Sequence, residues 1–172
     1  MLFFAQNRRE IWFLICFVSF YVTIQAAHYV TRPYTEPLFV VMLHVKAVTR
    51  IINFITPAEA SYVQGKIIWC GNSGLEMVEG CDGIEGFILI AAAICAFPAG
   101  LKRKAVGIVA GLGVVYLFNL VRIVSLCYLL KYRPDIFDIM HSYVGQTFMV
   151  IIGLMVFIIW AVKFANNEKK QA

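Results

Sequence analysis

The chain has 172 residues, 61% of them hydrophobic, and a mean hydropathy of +0.78. A soluble domain of this length cannot bury so much apolar surface, so the composition points to a single membrane-embedded domain over residues 1–172. The formal net charge of +5 is not a nucleic-acid signal, because the basic residues gather at the ends of apolar runs, where they orient a membrane protein.

The pattern predicts an all-α polytopic membrane protein with four transmembrane helices, one interfacial amphipathic helix and a small extracytoplasmic β-hairpin. The first span is expected over residues 11–27. Arg8-Arg9 ahead of it resembles the start of a signal peptide, but no clear small-x-small exit follows, so it reads as a retained span. Residues 29–37 read as a polar, proline-marked turn. Residues 38–55 are apolar but carry His44, Lys46 and Arg50. Lys46 and Arg50 are four apart and share one helical face, which suits a helix lying in the interface better than a span.

Residues 58–80 form the one stretch that reads as water-exposed. A hairpin is expected over residues 61–80, with strands at 62–63 and 66–70, a Gly71-Asn72-Ser73-Gly74 turn, and an alternating second strand at 75–79. Span two follows at 84–99, a Lys102-Arg103-Lys104 loop, and span three at 105–130. Lys131 to Asp135 breaks that run, and a short amphipathic piece leads to His141. Span four is expected at 144–164, before a polar basic tail at 166–172. Gly107, Gly111 and Gly113 read as helix-packing positions.

Four spans place Arg8-Arg9, the Lys102–Lys104 loop and Lys163, Lys169 and Lys170 on one side, expected to be the cytoplasm. The hairpin and the 131–142 connection, with Glu59, Glu76, Glu79, Asp82, Asp135 and Asp138, fall on the other. Both termini are then cytoplasmic, and Cys81 and His141 lie at the outer face of a cytoplasmic or inner membrane.

Arg122 lies inside span three, about 12 Å below its outer end at 1.5 Å per residue. A charge within a span is rare and reads as functional by default. Asn119, one turn earlier, shares its face and can hold the guanidinium. Cys81, Arg122 and His141 together suit acyl transfer. A cation lowers a thiol's pKa, a fixed guanidinium stabilises charge growing on a carbonyl oxygen, and an imidazole protonates a leaving amine. Gly83 and Gly86 leave room for a substrate backbone, and Glu85, one turn after Cys81, is the nearest buried carboxylate candidate, able to pair with Arg122 or with a basic substrate. Other roles stay open at this point. Cys81 could pair with Cys70 in a disulfide, leaving a non-catalytic assembly or anchoring factor. Arg122 could neutralise Glu85, or form an anion site in a small transporter, although few polar residues line the spans. His141 could cap a helix. His28 and His44 read as interfacial, and Cys16, Cys95 and Cys127 as small lipid- or helix-facing residues.

Cys81-Asp82-Gly83-Ile84-Glu85-Gly86 at the mouth of one span, Asn119-Leu120-Val121-Arg122 inside the next and His141 before the last resemble the exosortase/archaeosortase family over roughly residues 60–160. Its members are polytopic membrane cysteine transpeptidases. The resemblance implies Cys81 as nucleophile, Arg122 as oxyanion or thiolate stabiliser and His141 as general acid/base, with Asn119, Glu85 and Gly83 in support. It implies no metal and no organic cofactor. Its expected partners are the lipid bilayer and secreted proteins ending in a tripartite sorting signal: a motif, a hydrophobic helix and a basic cluster. The chain is shorter than the common eight-span members and is similar to the compact exosortase H type, whose signal is of the Ile-Pro-Thr-Leu kind. Glu85 stands where larger members often carry a basic residue, which departs from their pattern.

Overall fold

The computed structural model describes residues 8–78 and 81–165. Glu79 of the expected second strand, Gly80 at the end of the expected hairpin, and the tail at 166–172 lie outside the described residues.

Helix α1 (Arg8–Glu36) passes without a break into a π-helical segment (Pro37–Val45) and then α2 (Lys46–Ile55). The turn expected at 29–37 is therefore not formed. Its polar residues satisfy themselves within the helix: Thr31 Oγ1 donates to the Ala27 carbonyl at 2.9 Å and Thr35 Oγ1 to the Thr31 carbonyl at 3.3 Å. Pro33 sits inside α1, and the winding widens at Pro37, where a proline cannot donate to the ladder. The expected amphipathicity of α2 is present. Val48, Thr49 and Ile52 are buried on one face while Lys46 and Arg50 are exposed on the other.

The water-exposed stretch is a three-stranded antiparallel meander rather than a simple hairpin: β1 (Tyr62–Gln64), β2 (Ile67–Cys70) and β3 (Ser73–Glu76), in the order β1-β2-β3. Both connections are two-residue loops with a glycine at the first central position. Gly65 and Gly71 each have φ of 61°, the left-handed backbone such tight hairpins favour. The register pairs Cys70 with Ser73, so the second strand begins two residues earlier than expected.

Helix α3 (Ile84–Ala96) opens at Gly83, with φ of 74°, and Asp82 Oδ1 accepts the Ile84 amide at 3.2 Å. Helix α4 (Leu101–Tyr132) takes in the expected basic loop as its first turn, where Lys104 Nζ donates to the Cys95 carbonyl at 2.6 Å. Pro134 ends it, and two short helical turns and a π-helical segment (Met140–Val144) lead to α5 (Gly145–Trp160).

Three stretches are long and apolar enough to cross a membrane: Arg8–Ile55, Leu101–Tyr132 and Pro134–Lys163. The 13 residues of α3 are too few alone. They rise about 20 Å, against roughly 30 Å of hydrocarbon. Helices α3, α4 and α5 pack on one another, α1 lies on α3, and the sheet and α2 sit on α4. Two cores result. Ile90, Ile94, Val115, Met149, Ile152 and Trp160 fill the three-helix centre. Val45, Val48, Ile52, Ile68, Leu75, Ile123 and Leu126 join α2, the sheet and α4. Gly107 and Gly111 do serve packing. A side chain at Gly107 would strike Trp160, and a Cβ at Gly111 would lie 3.2 Å from Ile90. Gly113 has nothing within 4 Å and is not a packing position.

The charged residues lie towards the two ends. Arg8, Arg9, Trp12 and Pro98 line one cavity, and Trp160 Nε1 donates to the Arg103 carbonyl at 3.2 Å, so Arg8, Arg9 and Arg103 share one end of the bundle. At the other end Glu36 pairs with Lys66 and Glu59 with Lys131. Outward faces stay apolar, with Val18, Val22, Val109, Leu117, Val121, Leu154 and Ile158 exposed as a lipid-facing surface requires.

Candidate active site

The site forms where the sheet hands the chain to α3. Cys81 lies in the short turn between β3 and α3, its amide bonded to the Val78 carbonyl at 3.1 Å. Gly83, in left-handed backbone, swings the chain into the helix. A Cβ there would lie 3.1 Å from the Asn119 side chain, so glycine also allows α4 to approach.

Cys81 Sγ lies 2.7 Å from His141 Nε2. His141 stands in the π-helical segment before α5, its ring stacked on Phe137 at a centroid distance of 5.4 Å. Asn119 is fully buried and joins the parts: its Nδ2 donates to the Cys81 carbonyl at 3.1 Å, and its Oδ1 accepts from Arg122 Nη1 at 3.5 Å. Arg122 Nη2 donates to the His141 carbonyl at 3.3 Å. The guanidinium is thus tied both to Asn119 and to the backbone that carries the imidazole. Gly145 makes this possible, since a Cβ there would lie 2.5 Å from Arg122 Nε.

The structure therefore brings Cys81, Gly83, Asn119, Arg122 and His141 together. Glu85 stands apart. It is exposed on α3 and makes no ion pair with Arg122 among the described residues, although both line one cavity of about 220 Å³. A second cavity, of about 240 Å³, reaches Arg122 from the other side between α4 and α5.

Burial pushes the Cys81 thiol above its ordinary range, and this outweighs the opposing pull of the Arg122 guanidinium. The guanidinium thus pulls in the expected direction, and burial is the larger effect.

The expected rival for Cys81, Cys70, is engaged elsewhere. Both cysteines are free thiols. Cys70 accepts from Ser61 Oγ at 3.6 Å, and Cys127, 2% exposed, is buried in the same core as Cys70, Ile68 and Leu75, so it faces the sheet rather than lipid. His44 is not interfacial. It is 1% exposed, donates from Nδ1 to the Phe39 carbonyl at 2.7 Å and meets the Tyr116 ring edge-on. Sequence reasoning did not find Gly145 or the polar residues Gln25 and Gln146, which face cavities beside the site. For the two glutamines, polarity inside apolar runs was the available signal.

A family model described as "Transmembrane exosortase (Exosortase_EpsH)" matches residues 1–158. No curated protein and no solved structure matches the chain significantly.

Proposed function

The chain belongs to the transmembrane exosortase family, and from that premise we propose that it is a membrane cysteine transpeptidase acting on the C-terminal sorting signals of secreted proteins. The observation that carries this reading is the 2.7 Å contact between Cys81 Sγ and His141 Nε2 beside the Asn119-held Arg122.

The reaction is built on the contact between Sγ and Nε2. His141 takes the thiol proton as Sγ attacks the scissile carbonyl carbon, forming the S–C bond. Charge grows on the carbonyl oxygen, and the guanidinium of Arg122 stabilises it. The C–N bond then breaks, and the His141 proton passes to the leaving amine. An acceptor amine, hydroxyl or water attacks the thioester and loses its proton to His141. The C–S bond breaks, and the proton returns to sulfur.

The cluster of Arg8, Arg9 and Arg103 at one end, against basic residues paired with carboxylates at the other, supports an orientation with the first end in the cytoplasm and the site at the outer face. In this reading α3 completes a fourth crossing together with its flanking residues. The substrate's apolar helix docks beside the spans, which brings its motif to Cys81.

Co-expression with an epitope-tagged secreted protein bearing such a signal tests the reading. The wild-type chain should shorten the substrate, and Cys81→Ala should leave it full length. Processing by the Cys81→Ala protein would sink the cysteine mechanism.

A further inference from the structure

Helix α1 carries Tyr21, Gln25, His28 and Arg32 at spacings of four, three and four residues, which places them on one helical face. The hydroxyls elsewhere on the helix, Thr23, Thr31 and Thr35, bond back to its own carbonyls, so these four residues form a separate polar seam. The seam faces Cys81's own neighbours. Gln25, His28 and Arg32 line a cavity of about 140 Å³ with Asp82 and Glu85. Tyr21 lines the adjoining cavity of about 220 Å³ with Glu85, Gly86, Arg122 and Gln146. Glu85 borders both, so the two form one cleft between α1 and α3. It descends about 16 Å along α1, from Arg32 to Tyr21, and ends against Arg122.

Two groups in this cleft are set to accept hydrogen bonds. Gln25 Oε1 is buried and has no hydrogen-bond partner among the described residues. The Glu85 carboxylate, in the first turn of α3 and open to the cleft, has no hydrogen bond or ion pair among the described residues. An unsatisfied buried acceptor such as Gln25 Oε1 is costly and marks a binding role, and Glu85 adds an open carboxylate across the cleft from it.

Resting on the transpeptidase reading, we propose that this cleft binds the substrate segment adjoining the scissile bond as an extended chain, with Gln25 and Glu85 accepting from its N–H groups. The chemistry requires such a place. A peptide bond open to attack by Sγ cannot sit inside a helix, where the turns of the chain shield its carbonyl carbon. Once extended at membrane depth, its backbone groups lose their helical partners and find no water. The polar seam supplies the missing acceptors, and Gly86 lets the strand come close to α3. The cleft thus handles the change from the docked substrate helix to the extended segment at Cys81.

The test uses the full chain in lipid nanodiscs and the tagged, signal-bearing substrate. Gln25→Leu and Glu85→Gln should each raise KM about tenfold, the equivalent of one charge-assisted or buried hydrogen bond, with a much smaller change in kcat. Val22→Ala, on the outward face of the same helix, should change neither. Iodoacetamide labelling of Cys81 in every variant reports that fold and thiol are intact. A photo-crosslinking residue at position 25, in a Cys81→Ala background, should capture the segment next to the cleavage point. Processing whose KM ignores both variants, or crosslinks formed only from position 22, would overturn the cleft while leaving the transpeptidase standing. Absence of any processing by the wild-type chain would overturn both.

Discussion

Gly145 holds the space that Arg122 occupies: a Cβ on Gly145 would stand 2.5 Å from Arg122 Nε and 3.0 Å from the Met140 carbonyl. The missing side chain on α5 is therefore part of the site on α4. Gly145→Ala is expected to push the guanidinium away from the His141 carbonyl. The overpacking costs about 1–3 kcal/mol. Processing should fall at least about tenfold even if the protein still folds, with tenfold corresponding to about 1.4 kcal/mol. Full activity in folded Gly145→Ala protein would show that the position of Arg122 does not matter.

The thiol offers a pH readout that needs no substrate. Burial raises its pKa and Arg122 lowers it. Removing the cation in Arg122→Gln should therefore move the midpoint of Cys81 alkylation to higher pH and slow labelling near neutrality. Arg122→Lys keeps a charge but not the two-armed contact, and should recover part of the shift. A midpoint that moves down, or not at all, would contradict the electrostatic role.

Asn119 ties the Cys81 backbone to Arg122 from a fully buried position. Asn119→Leu leaves the Cys81 carbonyl and the guanidinium short of a partner each, at a cost of about 1–3 kcal/mol per buried group. Both Tm and kcat should fall. Gly83→Ala acts on the same junction, because its φ of 74° strains any side chain and the Cβ crowds Asn119. Equal Tm values for Gly83→Ala and wild type would count against this account of the turn.

The sheet is fastened to α4 by Glu59, whose carboxylate accepts from Lys131 and from Tyr132 Oη at 2.7 Å. These donors hold the Glu59 carboxyl below its ordinary value. A lowered folded-state pKa means the stabilisation is present above the ordinary carboxylate range and is lost as pH falls through the lowered value. Hydrogen exchange over β2 and β3 should quicken on acidification in the wild type. In Glu59→Gln it should already be faster at neutral pH and lose most of that pH response.

Cys70 accepts from Ser61 and is buried in the core that holds Cys127, so it should stay clear of the chemistry. Peptide mapping after alkylation is expected to find the label on Cys81 and no Cys70–Cys81 bond. Cys70→Ser should keep processing within about threefold, as a conservative substitution away from the reacting atoms. A Cys70–Cys81 disulfide in the isolated protein would restore the non-catalytic alternative.

Composition and the 20-residue scale of the bilayer were enough to identify a membrane protein, because no soluble core can absorb so many apolar residues. Cys81, Arg122 and His141 were legible too. Arg122 stood out because a cation within a span is penalised unless something uses it, and the other two because they bracket neighbouring spans. What the linear chain did not reveal were relationships that depend on which faces meet. The turn expected at 29–37 is helix, because hydroxyls there bond back along α1 and the prolines are absorbed by a wider winding. Cys70 turned from Cys81 to Cys127 because the β2–β3 register aims it at α4. Gly145 carries no chemistry of its own, and its importance appears only once α5 lies against Arg122. The polar seam of α1 likewise gained meaning only when packing set it opposite Glu85. Local pattern is written in single residues and their spacing, whereas the emptiness that admits a guanidinium or a substrate strand exists only between packed helices.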